Sequence, residues 1–151
     1  MFALSQRSKA RLSGVNEQLV SVVERAIKLT KYDFGVICGL RTQDEQLELY
    51  NKGASKIKQW GPHVLGRAVD LMGYIDNRAC WELNIYDDIA DAMRQAAMEL
   101  DVPIRWGGAW HITDIRKHDG DMESAMNEYI DLRRSQGRRP FLDGPHFEFS
   151  G

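Results

Sequence analysis

His63-Val64-Leu65-Gly66-Arg67-Ala68-Val69-Asp70-Leu71-Met72 is the stretch whose reading decides the fold. Asp70 lies seven positions after His63, a spacing that on a helix would put both on one face about two turns apart. Gly66 argues against that helix. From Arg67 onward the residues alternate, with Ala68, Asp70 and Met72 on one face and Val69 and Leu71 on the other. The stretch therefore reads as a loop histidine, a bend permitted by glycine, and a strand. Asp70 on such a strand is half-buried, which is costly without a partner.

Upstream, Val15 to Leu29 places Leu19, Val22, Val23, Ala26 and Ile27 at helical spacing, with Asn16 as N-cap. Asp33 to Leu40 is a short apolar run that reads as a buried strand ending at Arg41. Thr42-Gln43-Asp44-Glu45 is a capping box, which predicts a helix from Gln43 to about Lys52 with Gly53 as its stop. Ala54 to Pro62, with Lys56, Lys58 and Gly61, reads as an exposed loop that delivers His63.

Downstream, a helix is expected from Ile85 to Leu100, its stripe formed by Ile89, Ala92, Met93, Ala96, Ala97 and Leu100, with Asn84 or Asp87 near its start. Val102 to Trp106 reads as a short strand broken by Gly107-Gly108. A long connection then runs through Trp110, His111 and His118 to a helix from Asp121 to Arg134. Arg133, Arg134, Arg138 and Arg139 fall at and beyond its C-terminus, where the helix dipole favours cations. Pro145 to Phe149 alternates His146 and Glu148 with Phe147 and Phe149, a strand with one polar and one buried face. Strands interleaved with helices, the last strand having no helix after it, predict an α+β fold with a small, mainly antiparallel sheet.

The chain has 151 residues, 43% of them apolar, enough for one domain spanning 1–151. Its 20 basic and 22 acidic residues leave no basic excess for nucleic acid, and no apolar run is long enough for stable membrane insertion. A monomer is expected. Cys38 and Cys80 form neither a CxxC knuckle nor a disulfide framework and read as reduced core thiols. The start, MFALSQRSKARL, lacks the apolar stretch of a signal peptide, so synthesis in the cytoplasm is expected.

His63, Asp70 and the Asp143-Gly-Pro-His146 segment offer three typical zinc ligands plus one uncommitted carboxylate. Taken singly each is ordinary. A histidine is commonly a satisfied polar side chain, and a strand aspartate commonly caps a turn or pairs with a base.

The ordered set His63-x-x-Gly66-x-Ala68-x-Asp70 and Asp143-x-x-His146-Phe147-Glu148 resembles the D-alanyl-D-alanine carboxypeptidase-like zinc peptidases. That family includes VanY-type enzymes and, more closely, phage endolysins that are L-alanyl-D-glutamate peptidases. The likeness extends through Gly39-Leu40-Arg41-Thr42, Asp70 to Tyr74 and Trp106-Gly107-Gly108-x-Trp110.

The resemblance implies one zinc ion in a cleft on the sheet, held by His63, Asp70 and His146, with Asp143 as catalytic acid/base and Arg41 binding or polarising substrate. It also implies cleft walls at Tyr74 and Trp110, while Glu148 reads as a support for His63 or His146. The implied role is a phage lysis enzyme acting on bacterial cell-wall peptidoglycan in the periplasm after another protein has permeabilised the membrane. A D-alanyl-D-alanine carboxypeptidase or dipeptidase, or a non-catalytic zinc-containing wall-binding module, is the alternative.

Two positions depart from the family pattern. Gly61 stands where a serine often precedes the first ligand, and Ala109 where an acid commonly precedes the tryptophan, which bears on substrate contacts. The segment 111–139 is longer than in the family's nearest members and reads as an insertion before the last strand, an added lid or wall-contacting feature. His111 and His118 match no ligand position.

Overall fold

The computed structural model describes residues 1–55 and 61–151. In chain order its elements are α1 (Gln6–Arg11), α2 (Glu17–Leu29), β1 (Asp33–Cys38), α3 (Gln43–Asn51), β2 (Ala68–Ile75), β3 (Arg78–Cys80), α4 (Leu83–Leu100), β4 (Ile104–Trp106), a 3-10 turn (Ile115–Lys117), α5 (Met122–Ser135) and β5 (His146–Phe149). The expected α+β class holds. The loop expected over Ala54–Pro62 falls largely outside the described residues.

Every strand pairing is antiparallel, in the order β1-β2-β5-β4. Along its other edge β2 pairs with β5 over Ala68–Asp70 and with β3 over Gly73–Ile75. The last strand of the chain thus inserts between β2 and β4, and this sets His146 directly opposite Asp70.

Val69 and Leu71 of β2 and Phe147 of β5 are fully buried. They face Leu19, Val22 and Val23 of α2 and Ile89 and Met93 of α4 in one core that runs from Leu4 to Phe147. Burying each such side chain contributes about 1.5–3 kcal/mol. Gly73 lets α4 sit close to the sheet, since a Cβ there would lie 2.5 Å from Ile85 Cδ1. With the helices α2 and α4 filling that face, Asp70, His146 and Glu148 are left on the other.

The capping box forms as expected, with Thr42 Oγ1 accepting from the Glu45 N–H and Glu45 Oε1 from the Thr42 N–H, both at 3.1 Å. Asn16 caps α2 and Asp121 caps α5. One α-helix and one strand were not expected from the sequence. α1 is only six residues long, too short for periodicity to show. It is held by tertiary bonds instead, Ser8 Oγ accepting from the Val36 N–H at 2.9 Å and Arg11 donating to the Val36 carbonyl at 3.0 Å, which covers part of the sheet edge at β1. β3 follows a turn in which Asp76 and Asn77 have φ of 51° and 65°, the backbone of a tight hairpin.

The segment 111–139 is fastened to α4. Arg94 donates to the Ile115 and His118 carbonyls, Asp91 accepts from the Met122 N–H at 2.9 Å, and Met122, Ala125 and Met126 join the core. No residue between 111 and 139 lines the cleft described below; the flanking Trp110 and Phe141 do.

Candidate metal centre

His63 is fixed by its surroundings before any ligand is considered. Its Nδ1 lies 2.9 Å from the Gly39 carbonyl, which can only accept, so Nδ1 carries the hydrogen and Nε2 the lone pair of the neutral ring. The His63 carbonyl in turn accepts from the Arg41 and Gly66 N–H groups. Gly66 has φ +69°, and a Cβ there would lie 2.6 Å from the Gly14 carbonyl oxygen, so the bend requires glycine. Nε2 then lies 3.3 Å from Asp70 Oδ2.

His146 mirrors this arrangement. Its Nε2 lies 2.8 Å from Glu148 Oε1, so an ionised Glu148 fixes the hydrogen there and turns the Nδ1 lone pair inward, 3.3 Å from Asp70 Oδ1. Asp70 Oδ1 is buried and has no hydrogen-bond partner. Two inward-facing imidazole nitrogens on either side of a carboxylate with an orphaned oxygen make a donor set that fits zinc.

Without an ion these three groups hold one another as charges. Burial disfavours charge on each, but the facing His146 and His63 rings keep the Asp70 carboxyl well below its ordinary range. Asp70, with Cys38 on the far side, raises His63 to about 10; Asp70 and Glu148 raise His146 to about 9.

Asp143 is placed by the Trp106-Gly107-Gly108 segment. Its N–H donates to the Gly107 carbonyl at 2.9 Å, Gly107 donates to the His146 carbonyl at 2.8 Å, and Trp106 Nε1 donates to the Gly144 carbonyl at 2.7 Å. A Cβ on Gly107 would lie 2.2 Å from the Asp143 carbonyl oxygen. Ligand atoms of Asp143, Asp70 and His146 all lie within 4.8 Å of one another. Burial and the Asp70 charge raise the Asp143 carboxyl above its ordinary range.

Arg41 is held by two groups that the sequence did not single out. Buried Gln46 accepts from Nη1 at 2.7 Å through Oε1, and Cys38 Sγ accepts from Nη2 at 3.1 Å. A register shift between Val36 and Cys38 turns the thiol toward the site, a bulge with no glycine to announce it. Cys38 also approaches His63, with Sγ 3.7 Å from Nδ1, and Cys38, His63 and Asp70 form a second group whose ligand atoms lie within 4.8 Å of one another.

Arg41, Gln46, His63, Asp70, Asp143 and His146 line a cleft of about 470 Å³ that also includes Arg105, Trp110, Phe141 and Glu148. Trp110 packs against His146 with ring centroids 5.2 Å apart and stacks on Phe141. Tyr74 does not line the cleft. It shares a face with Asp70 but lies four residues further along β2, about 13 Å away, opposite Asp33 and beside Gly35. His111 bonds to Glu128 and His118 to Ser124, both away from the cleft.

Inward-facing imidazoles around a carboxylate, a second carboxylate held beside them and an open cleft above are the parts that a metal-dependent hydrolase would need. The chain belongs to the phage L-alanyl-D-glutamate peptidase family, whose model matches residues 1–150. It is 30% identical over 113 residues to the L-alanyl-D-glutamate peptidase of Escherichia phage T5, which covers 73% of this chain and 82% of that one. The crystal structure of the Serratia marcescens L-Ala D-Glu endopeptidase ChiX superposes with a TM-score of 0.70 at 29% identity, covering 95% of this chain and 86% of ChiX. The vancomycin-resistance D,D-dipeptidase VanXYg shares the fold, with a TM-score of 0.51 at 16% identity over 91% of this chain and 51% of that one.

Proposed function

We propose that the protein is a zinc-dependent peptidoglycan stem-peptide hydrolase that cuts between L-alanine and D-glutamate and serves as a phage endolysin in host cell lysis. The observation that carries this reading is the convergence of His63 Nε2 and His146 Nδ1 on Asp70, with a carboxylate oxygen of Asp143 within 4.8 Å of the ligand atoms of Asp70 and His146. His63, Asp70 and His146 hold the ion in this reading. Bound zinc supplies Lewis acidity and lowers the pKa of a water toward about 7.

Asp143 takes a proton from the attacking water at its carboxylate and returns it to the departing amine nitrogen. Its raised pKa suits a group that must hold that proton between the two transfers. Arg41, always charged and braced by Gln46 and Cys38, faces the oxyanion that develops on the scissile carbonyl. Glu148 orients His146. Trp110 and Phe141 form an apolar wall for the peptide.

One peptidase domain over 1–151 acts as a monomer in this reading, with 111–139 as a buttress on α4. No helix among the described residues is long and apolar enough to cross a membrane. The enzyme is made in the host cytoplasm and reaches the wall in the periplasm once the membrane is permeabilised.

Mass spectrometry of digested, purified peptidoglycan tests the bond. New alanine carboxyl and glutamate amino ends are expected. Release of terminal D-alanine with the alanine–glutamate bond intact would instead identify a carboxypeptidase. Binding to the wall with zinc present but no peptide released would identify a binding module.

A further inference from the structure

We propose that Arg105 determines specificity by recognising a carboxylate on the leaving side of the scissile bond, a role resting on the reading of the cleft as an alanine–glutamate peptidase site. Arg105 lies on β4 and Arg41 follows β1, so the two cations approach the cleft from opposite edges of the sheet.

Their situations differ. Arg41 is committed inward, to Gln46, Cys38 and an ion pair with Asp70 at 3.8 Å. Arg105 donates Nε and Nη2 to the Trp110 carbonyl and lies over the Trp110 ring at 5.2 Å, forming no ion pair among the described residues. These bonds use two of its five N–H donors, leaving three for a ligand. Glu148, its register partner on β5, is occupied with His146.

The anchored guanidinium is therefore preorganised for an anion. The Trp110 ring that carries it also packs on His146, so the charge sits one aromatic ring away from a proposed ligand. The substrate supplies a matching group. When the stem continues through the γ-carboxyl of D-glutamate, its α-carboxyl stays free, one carbon from the scissile nitrogen. Asp70, Asp143 and Glu148 would repel that carboxylate anywhere in the cleft except beside an uncommitted cation.

The test compares kcat/KM on two soluble stem peptides, L-Ala-γ-D-Glu-diaminopimelate and the same peptide with the glutamate α-carboxyl amidated. The parent is expected to prefer the acid by about 10- to 100-fold, the worth of one charge-assisted pair. Arg105→Gln should bring that ratio close to one, and Arg105→Lys should keep part of it. Because both peptides meet the same preparation, any loss of folded enzyme cancels from the ratio.

An unchanged ratio in Arg105→Gln, or a ratio near one in the parent, overturns the proposal. So does a ratio that collapses in Arg41→Gln but not in Arg105→Gln. Parent enzyme that cuts neither peptide, yet releases D-alanine from a D-alanyl-D-alanine end, overturns the alanine–glutamate reading itself and the proposal with it.

Discussion

His146 stands opposite Asp70 across the β2–β5 pair, and its other ring nitrogen is held 2.8 Å from Glu148 Oε1. His63 is oriented by a backbone carbonyl, which substitution cannot remove, whereas His146 depends on a side chain. Glu148→Ala is therefore expected to lower zinc affinity by about 10- to 100-fold while leaving the fold intact. Competition with a chelating dye measures it, and an unchanged affinity would deny Glu148 its orienting role.

His63→Ala, Asp70→Ala and His146→Ala should each lose zinc and activity together. Asp143→Ala should keep about one zinc per chain and lose about 10²–10⁴ in kcat. Metal analysis beside a wall-lysis assay separates the two classes, with circular dichroism showing that each variant is folded, since site zinc also contributes folding free energy. Normal lysis by Asp143→Ala would rule it out as the base.

Much of this was legible in the sequence because it rests on local chemistry. Alternation around Asp70, the Thr42–Glu45 capping box and the two-faced His146–Phe149 strand are each written within a few residues. The illegible parts are tertiary. That β5 inserts between β2 and β4 follows from long-range pairing, and Gln46 reads as one more polar residue on α3 until Arg41 folds over it. Tyr74 shows the limit of a motif, since a likeness that runs from Asp70 to Tyr74 says nothing of how far along the strand the cleft extends. Cys38 reads as a core thiol in an apolar run; only the bulge brings it to Arg41.

Zinc binding should release protons. In the ion-free protein His63 is raised to about 10 and His146 to about 9, so both carry a proton at pH 7 that must leave before the ring can donate its lone pair. Apparent affinity is expected to rise with pH from neutrality toward about 10, with up to two protons released per ion. Calorimetry at pH 7 in buffers of different ionisation enthalpy counts them; a buffer-independent heat would show that the rings are already neutral.

Gly107→Ala should damage catalysis through the backbone. The added Cβ would meet the Asp143 carbonyl oxygen at 2.2 Å, and backbone cannot swing aside as a side-chain tip can. A stability loss of about 1–3 kcal/mol is expected. Asp143 should be displaced more than the three proposed ligands, none of which Gly107 touches through its missing side chain. Activity per bound zinc should thus fall, and activity that merely tracks zinc content would contradict the positioning role of the Trp106-Gly107-Gly108 segment.

Asp87, in the second turn of α4, is buried, and that burial, together with Asp88, Glu123 and Asp91, raises its carboxyl to about 6. The folded state then binds this proton more tightly than the unfolded chain, whose aspartate titrates near 3.9. The sign follows from linkage: stability falls as pH rises from about 4 to about 6, and the penalty is fully present above that. Removing the charge should therefore stabilise the protein at neutral pH. Asp87→Asn is expected to add on the order of 1–3 kcal/mol at pH 7.5 and little at pH 4. Urea unfolding at the two pH values measures the difference, and an equal effect at both would mean that the asparagine acts through packing and not through charge.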